Sequence, residues 1–439
     1  MSDHARIFAK ANLDAASGAS LEEVTHIPSP DSPVSPETGQ PATAGRLVSL
    51  DALRGFDMFW IVGAGAVIQS LDKMCRTPWT AAVAFQFKHV HWKGLHCYDV
   101  IFPLFLFIIG ISIVFSLDKA LATGGKTQVL VRVARRSVLL FALGVFYYGG
   151  FVKPWPNVQL GGVLPRIALC YLAAALIYTF IRSTRGLLAA AAALLIGYWA
   201  LLAFVPFPDL QLRKPVVEEI AQRIGSDSPA AIAATVPERV HGLYEEYRNL
   251  PNYVDFLYMP GRKAQFYFIN EGLLSTIPSI ALSLFGAVAG LLLKNQKVPP
   301  LRKIAWLVGA GVAAIILGRV WAIDFPLIKR IWTSSFILVA TGWSALMLAL
   351  FYYIVDVKQW RRWCQPFVWI GCNALTVYVA AQVLNFDTMA ERFAGGDVQD
   401  FFDTQVASGC GDLVIDLISL SIAVFFARFL YQRKIFLRV

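Results

Sequence analysis

The sequence predicts an all-α protein: a polytopic transmembrane helical bundle of about ten spans, with both termini cytoplasmic. Composition is the first observation behind this. Of 439 residues, 57% are hydrophobic and 15% charged, against roughly 45–50% and about 25% in soluble domains. Mean hydropathy is +0.57. The second observation is that apolar runs recur along the chain at close to the roughly 20 residues a helix needs to cross the hydrocarbon core. The third is an asymmetry of charge between alternate loops. It accounts for the formal net charge of +10 as basic loops on one membrane face, so no nucleic-acid partner is expected.

Residues 1–45, which include HIPSPDSPVSPETGQPAT, lack any apolar run or signal-peptide core, so they are expected to be a disordered cytoplasmic tail. The transmembrane domain is then 46–439. Its apolar runs fall near 50–70, 100–117, 131–150, 162–181, 187–206, 275–293, 303–322, 332–355, 366–386 and 412–431. Taken alternately, the short loops carry seventeen Lys and Arg on one side and eight on the other. By the positive-inside rule the richer side is cytoplasmic. The 71–99 and 207–270 loops are then periplasmic, and PAAIAATVPERVHGLYEEY in the second reads as part of a small, partly helical cap.

The polar residues carry the functional reading. FQFKHVHWKGLHCYDVIFPLFLFIIGISIVFSL, at 85–117, places His89, His91, His96, Cys97 and Asp99 within eleven residues, directly before a span. Trp92 and Tyr98 are aromatics of the kind that settle at headgroup depth. Titratable groups at a membrane boundary are costly unless solvated or paired, so the segment is a candidate site; a wet loop with incidental histidines is the plainer alternative. In the first span, Asp51, Arg54 and Asp57 lie at i, i+3 and i+6. Arg54 can pair with either carboxylate for packing, or meet an anionic ligand at the cytoplasmic mouth. Arg166 lies at the outer edge of the fourth span, where it can snorkel. Asn270 and Glu271 lie just outside the sixth, and Asn373 lies in the ninth, where an interhelical hydrogen bond competes with a ligand role. Arg132, Arg135 and Arg136 form the densest basic cluster, which topology alone would also produce. Six cysteines show no CxxC or zinc-finger spacing, and a Cys75–Cys97 disulfide stays open.

The strings SLDALRGFDMFW, KHVHWKGLHCYDVIFPLFLFIIGISI, GVLPRIALCY, NEGLLSTIPSIA, FPLIKRIWTSSFIL and PFVWIGCNALTVYV resemble the bacterial branch of the heparan-alpha-glucosaminide N-acetyltransferase family, a DUF5009-type group, over about residues 46–386. The resemblance implies an inner-membrane acyltransferase that moves an acetyl group from cytoplasmic acetyl-CoA to an amino sugar on the periplasmic side. It implies His89 as the catalytic histidine, in the Lys-His-x-x-Trp-x-Gly setting, with Asp99 as its acidic partner. Trp92, Asp57, Asn270, Glu271 and Asn373 become candidate substrate-binding residues. Arg54, Arg132, Arg135 and Arg136 become candidates for acetyl-CoA. Gly65 departs from the family, standing where its lysosomal member has Asn. The family's lumenal N-terminal domain and extra span are also missing, which argues against heparan sulfate itself as the acceptor.

The residue chemistry is consistent with this. Removing a proton from an acceptor amine near neutral pH suits histidine, with its reference pKa of about 6.5. A carboxylate on one ring nitrogen would fix the tautomer and leave the other for substrate. Direct transfer and an acetyl-histidine intermediate both stay open. Two rivals remain: an amino-sugar transporter without acyl chemistry, and a metal site of His89, His91, His96 and Asp99. The membrane lipid is an obligatory partner, a small sugar the expected substrate, and a homodimer an open question.

Overall fold

The computed structural model describes residues 47–155 and 157–437. The tail expected at 1–45 lies outside the described residues. Among the described residues, seven helices are long and apolar enough to cross a membrane: Cys97–Tyr147, Val163–Phe180, Thr184–Phe204, Thr276–Lys294, Pro300–Trp321, Ser334–Val357 and Cys410–Gln432. An eighth crossing is possible if Gln365–Cys372 and Ala374–Ala394, bent by 79° at Asn373, act as one broken span. Among the described residues, sheet is confined to two small antiparallel ladders, Phe207–Pro208 with Arg239–Val240 and Tyr244–Glu245 with Arg248–Asn249.

Cys97–Tyr147 is too long for one crossing, and it is interrupted at Gly125 (φ 72°, ψ 175°), a left-handed conformation that a residue without Cβ adopts freely. The two halves double back. Ser116 and Leu117 line one cavity together with Arg132, Arg135 and Arg136, although about fifteen residues of straight helix would separate them by ~22 Å. The run expected as the first span, 50–70, is also broken. Val48–Phe59 passes through a π turn at Trp60–Ala64, with Gly63 non-helical, into Gly65–Cys75. Such turns recur at functional sites because they redirect side chains.

Burial sorts the helices into layers. Four windows, in Cys97–Tyr147, Val163–Phe180, Thr276–Lys294 and Ser334–Val357, are 56–61% buried within the protein. Those of Thr184–Phe204, Pro300–Trp321 and Cys410–Gln432 are only 17–28% buried, which makes them the outer, lipid-facing layer. Reciprocal glycines hold the inner layer together. A Cβ on Gly110 would lie 1.9 Å from the Ser283 carbonyl oxygen, and one on Gly286 2.0 Å from that of Phe107. Gly55 and Gly371 do the same for Val48–Phe59 against Gln365–Cys372. Where burying apolar surface cannot drive association, such close backbone approach is what joins helices.

Residues 207–270 fold into short helices and the two small ladders. The helices Lys214–Ile224, Pro229–Ala234 and Leu250–Tyr258 pack on Leu210, Leu212, Phe256 and Phe268. A second cluster, Phe207, Leu250, Phe325 and Ile328, joins the cap to the helix ends. Arg248 clamps Asp209 through both Nε and Nη2, which holds Asp209 below the usual carboxylate range. Cys75 and Cys97 are both free thiols.

Candidate active site

The site is built where the chain leaves Pro78–Gln86 and re-enters the membrane. Gly94 turns the chain at φ 126°, and its N–H donates to the Leu327 carbonyl at 2.9 Å. A side chain at that φ would be strained, which accounts for glycine at the end of the Lys-His-x-x-Trp-x-Gly string. The chain then closes into a 3₁₀ turn, Cys97–Val100, which leads into the long helix.

Asp99 lies in that turn and is fully buried, yet both carboxylate oxygens are satisfied. Oδ2 accepts from the backbone N–H groups of Val90 (3.3 Å) and His96 (3.0 Å). Oδ1 lies 2.8 Å from His89 Nδ1 and 3.1 Å from Lys329 Nζ. A buried carboxylate is tolerated when its lone pairs are filled in this way. Lys329 Nζ is also 3.0 Å from His89 Nδ1, so two groups compete for one ring nitrogen. A neutral imidazole has one donor and one acceptor nitrogen. With the proton on Nδ1, donated to Asp99, Nε2 keeps its lone pair and can act as a base. With Nδ1 bare and accepting from Lys329, Nε2 carries the proton. Asp99 favours the first state. Burial pushes the Lys329 ammonium below the ordinary lysine value and Asp99 opposes this, while a fifth of the side chain stays accessible from the cavity. Nε2 of His89 has no partner among the described residues.

These groups line a cavity of about 260 Å³ that also takes in Tyr98, Asn270, Glu271, Trp332 and Tyr378. Tyr98 packs against His89 with ring centroids 4.8 Å apart. Trp332 has φ 52°, uncommon for a bulky residue, and is held there by the Lys329–Trp332 turn and by the Arg166 guanidinium 4.8 Å from its ring. Arg166, expected to snorkel, is instead buried. Its Nη2 donates to the carbonyls of Asn270 (3.1 Å) and Gly272 (3.3 Å) and to Ser275 Oγ, which fixes the loop that presents Asn270 and Glu271.

Three further cavities continue from this one. A constriction of about 20 Å³ shares Ile61, Phe102, Val163 and Tyr378 with the histidine cavity, and Phe105, Leu164, Ile167 and Leu375 with a larger space beyond. That space, about 440 Å³, is lined by Arg54, Arg136, Tyr171, Asn373 and Thr376. Arg136 and Tyr171 also line the last cavity, about 170 Å³, with Arg132 and Arg135. Arg54 donates to Ser112 Oγ at 2.8 Å and lies 3.6 Å from Asp51. Arg136 Nε, both amide atoms of Asn373 and the Thr376 hydroxyl are buried without hydrogen-bond partners among the described residues.

Residues 46–214 match the family model described as Domain of unknown function (DUF5009). The chain is 26% identical to the heparan-alpha-glucosaminide N-acetyltransferases of Mus musculus and Homo sapiens, over 92% and 93% of its length respectively. The likeness to both runs over nearly the whole of this chain. It spans 62% of the length of each of these relatives.

Gly65 has a local reason. A Cβ there would come within 3.2 Å of the Tyr98 ring, so the glycine and the tyrosine beside His89 fit as a pair. Several expected site residues lie elsewhere. The Trp92 indole N–H donates to the Tyr244 carbonyl at 2.8 Å, tying the segment to the cap rather than lining the histidine cavity. Asp57 lines a separate cavity. The histidines diverge: His91 Nε2 lies 3.5 Å from Glu246, and His96 Nδ1 lies 2.8 Å from the Lys88 carbonyl. No group of three metal-ligating side chains converges among the described residues. Lys329 was missed. It counted only as a loop charge, although FPLIKRIWTSSFIL was singled out as a motif.

Proposed function

We propose that the protein is a transmembrane acyltransferase of the bacterial inner membrane, carrying an acetyl group from acetyl-CoA on the cytoplasmic side to the amine of an amino sugar on the periplasmic side. One observation carries this reading: a run of cavities joins a histidine base with a free Nε2 at one end to a cluster of arginines at the other. The chain crosses the membrane ten times in this reading. The hairpin at Gly125 counts as two crossings, and the broken 48–75 and 365–394 runs count as one each. Both termini are then cytoplasmic, the arginines face the cytoplasm and the cap is periplasmic.

The arginine end suits the donor. Phosphates need Arg132, Arg135, Arg136 and Arg54. The unpartnered Asn373 amide and Thr376 hydroxyl suit the amide groups of a pantetheine arm, which is slender enough to enter the apolar constriction. Bound there, acetyl-CoA supplies an activated acyl group. The chain's own residues do the rest. His89 Nε2 takes the proton from the acceptor amine as it attacks the thioester carbonyl, Asp99 steadies the imidazolium that results, and the CoA thiolate released as the C–S bond breaks takes up that proton. Asn270 and Glu271 are placed to orient an amino sugar, and the Lys329 ammonium sets the charge of the floor.

The test is incubation of the purified protein with radiolabelled acetyl-CoA and a panel of amino sugars. Label on the sugar is the expected result. Sugar uptake into proteoliposomes without any label transfer would overturn the reading in favour of a carrier. A reporter fused near residue 240 should be active only on the periplasmic side.

A further inference from the structure

A second cavity, of about 340 Å³, lies beside the histidine site, and its walls include Phe56, Asp57, Trp60, Phe87, Arg319 and Trp343. Asp57 is only 1% exposed, and neither carboxylate oxygen has a hydrogen-bond partner among the described residues. Asp99, equally buried, accepts from four donors. A carboxylate taken out of water with nothing to meet it is a costly arrangement, and it persists where a ligand completes it. Arg319, His96 and Cys97 face the same space, but none is within bonding distance of Asp57. Arg319 is exposed and stands on the least buried spanning helix, Pro300–Trp321.

The rest of the wall is aromatic. The Trp60 and Phe87 rings lie 4.4 Å apart, Phe56 meets Trp60 edge-on at 5.9 Å, and Trp343 is half-exposed at the lipid-facing side. Aromatic faces grouped around a carboxylate attract a cation that also has apolar surface to bury. We propose that this cavity binds an organic ammonium ion with an apolar body, its nitrogen on Asp57 and its body against Phe56, Trp60, Phe87 and Trp343. The site is distinct from the acyl-transfer site: Asp57, Trp60 and Phe87 line this cavity, His89, Tyr98 and Lys329 line the other, and the two share Ile101 as a common wall.

Benzyltrimethylammonium and its neutral isostere neopentylbenzene test the proposal, titrated calorimetrically into the full-length protein in non-ionic detergent. The cation is expected to bind saturably at one site, with affinity at least ten-fold weaker in Asp57→Asn. Arg319→Gln should bind it as well as the parent or better, since a cationic side chain able to swing toward Asp57 can only compete. Equal affinity in the parent and Asp57→Asn, or a neutral isostere that binds as tightly as the cation, would overturn the proposal. Should Asp57→Asn fail to fold, Trp60→Leu and Trp343→Ala decide: each should weaken the cation several-fold, and unchanged affinity in both sinks the idea. Binding is read without any acyl transfer, so the outcome is independent of the proposed function.

Discussion

The His89–Asp99–Lys329 group at one end of the cavity run and the polar groups at the other differ in how completely they are satisfied. Asn270 Oδ1, in the histidine cavity, is unpartnered among the described residues like the atoms of the arginine end. At the histidine end Asp99 has a donor on every side, and Lys329 and His89 are locked to it within 3.1 Å. At the arginine end Arg136 Nε, the Asn373 amide and the Thr376 hydroxyl are buried with nothing to meet them. Groups that act on a proton must be held in one geometry before substrate arrives. Groups that hold a ligand are completed by it. On the proposed function, chemistry falls to one end and binding to the other, and mutations should separate the two.

The sharpest break is at His89. His89→Ala should lower label transfer by about 10²–10⁴, the usual cost of losing a general base, without reducing the amount of folded protein in the membrane. Asp99→Asn should fall short of that, because the imidazole remains although its tautomer is no longer enforced. Full turnover in His89→Ala would place the chemistry elsewhere. His91→Ala and His96→Ala, whose rings meet Glu246 and the Lys88 carbonyl, should stay within a few-fold of the parent.

Lys329→Met comes next. Without the ammonium, no cation but the imidazolium itself balances the buried Asp99 carboxylate, so the charged ring is favoured over the free base and a loss of about ten-fold is expected together with a changed pH–rate profile. A purely structural role for Lys329 would lower the yield of folded protein and leave the shape of that profile intact.

At the other end the effects should be on binding. Arg136→Gln and Asn373→Ala should raise the KM for acetyl-CoA several-fold and leave that for the sugar and kcat nearly unchanged, since they remove contacts made equally before and during the reaction. Equal loss toward both substrates would erase the distinction between the two ends.

How much of this was legible in the sequence follows from the range of the interactions. Composition and run length identify membrane helices because lipid imposes one rule along the whole chain. His89 and Asp99 are ten residues apart within one turn-forming segment, so their pairing could be anticipated locally. Lys329 reaches them from 230 residues away, brought there by the packing of Ser334–Val357 against Cys97–Tyr147 and by the Gly94 N–H bond to the Leu327 carbonyl. Trp92 and Asp57 misled for the same reason. Each lies close in sequence to the site, and the Trp92 side chain turns to Tyr244 while Asp57 opens into the neighbouring cavity. Breaks at Gly63 and Asn373 left no mark in hydropathy, since a kinked apolar helix is as apolar as a straight one.

The smallest effect expected concerns the loop that carries Asn270 and Glu271 and belongs wholly to the histidine end. Asp255, buried in the cap, accepts from the Leu273 N–H at 2.9 Å and the Ile269 N–H at 3.5 Å, and so holds that loop from behind. Gly272 lies so close that a Cβ there would sit 1.9 Å from Asp255 Oδ2. Burial raises the Asp255 carboxyl to about 6, with the two backbone N–H groups pulling the other way. A carboxyl raised on folding contributes stability that is fully present below its unfolded value, near 3.9, and is lost as pH rises through about 6. At about 1.4 kcal/mol per pKa unit, the loss above pH 6 is on the order of 3 kcal/mol. The Tm of the parent should therefore fall between pH 5 and pH 7 by more than that of Asp255→Asn, which cannot ionise. The KM for the sugar should rise over the same interval in the parent alone, and the KM for acetyl-CoA in neither. Parallel Tm curves for the two proteins would show that Asp255 does not govern the loop, and a matching rise in the acetyl-CoA KM would show that the two ends are not independent.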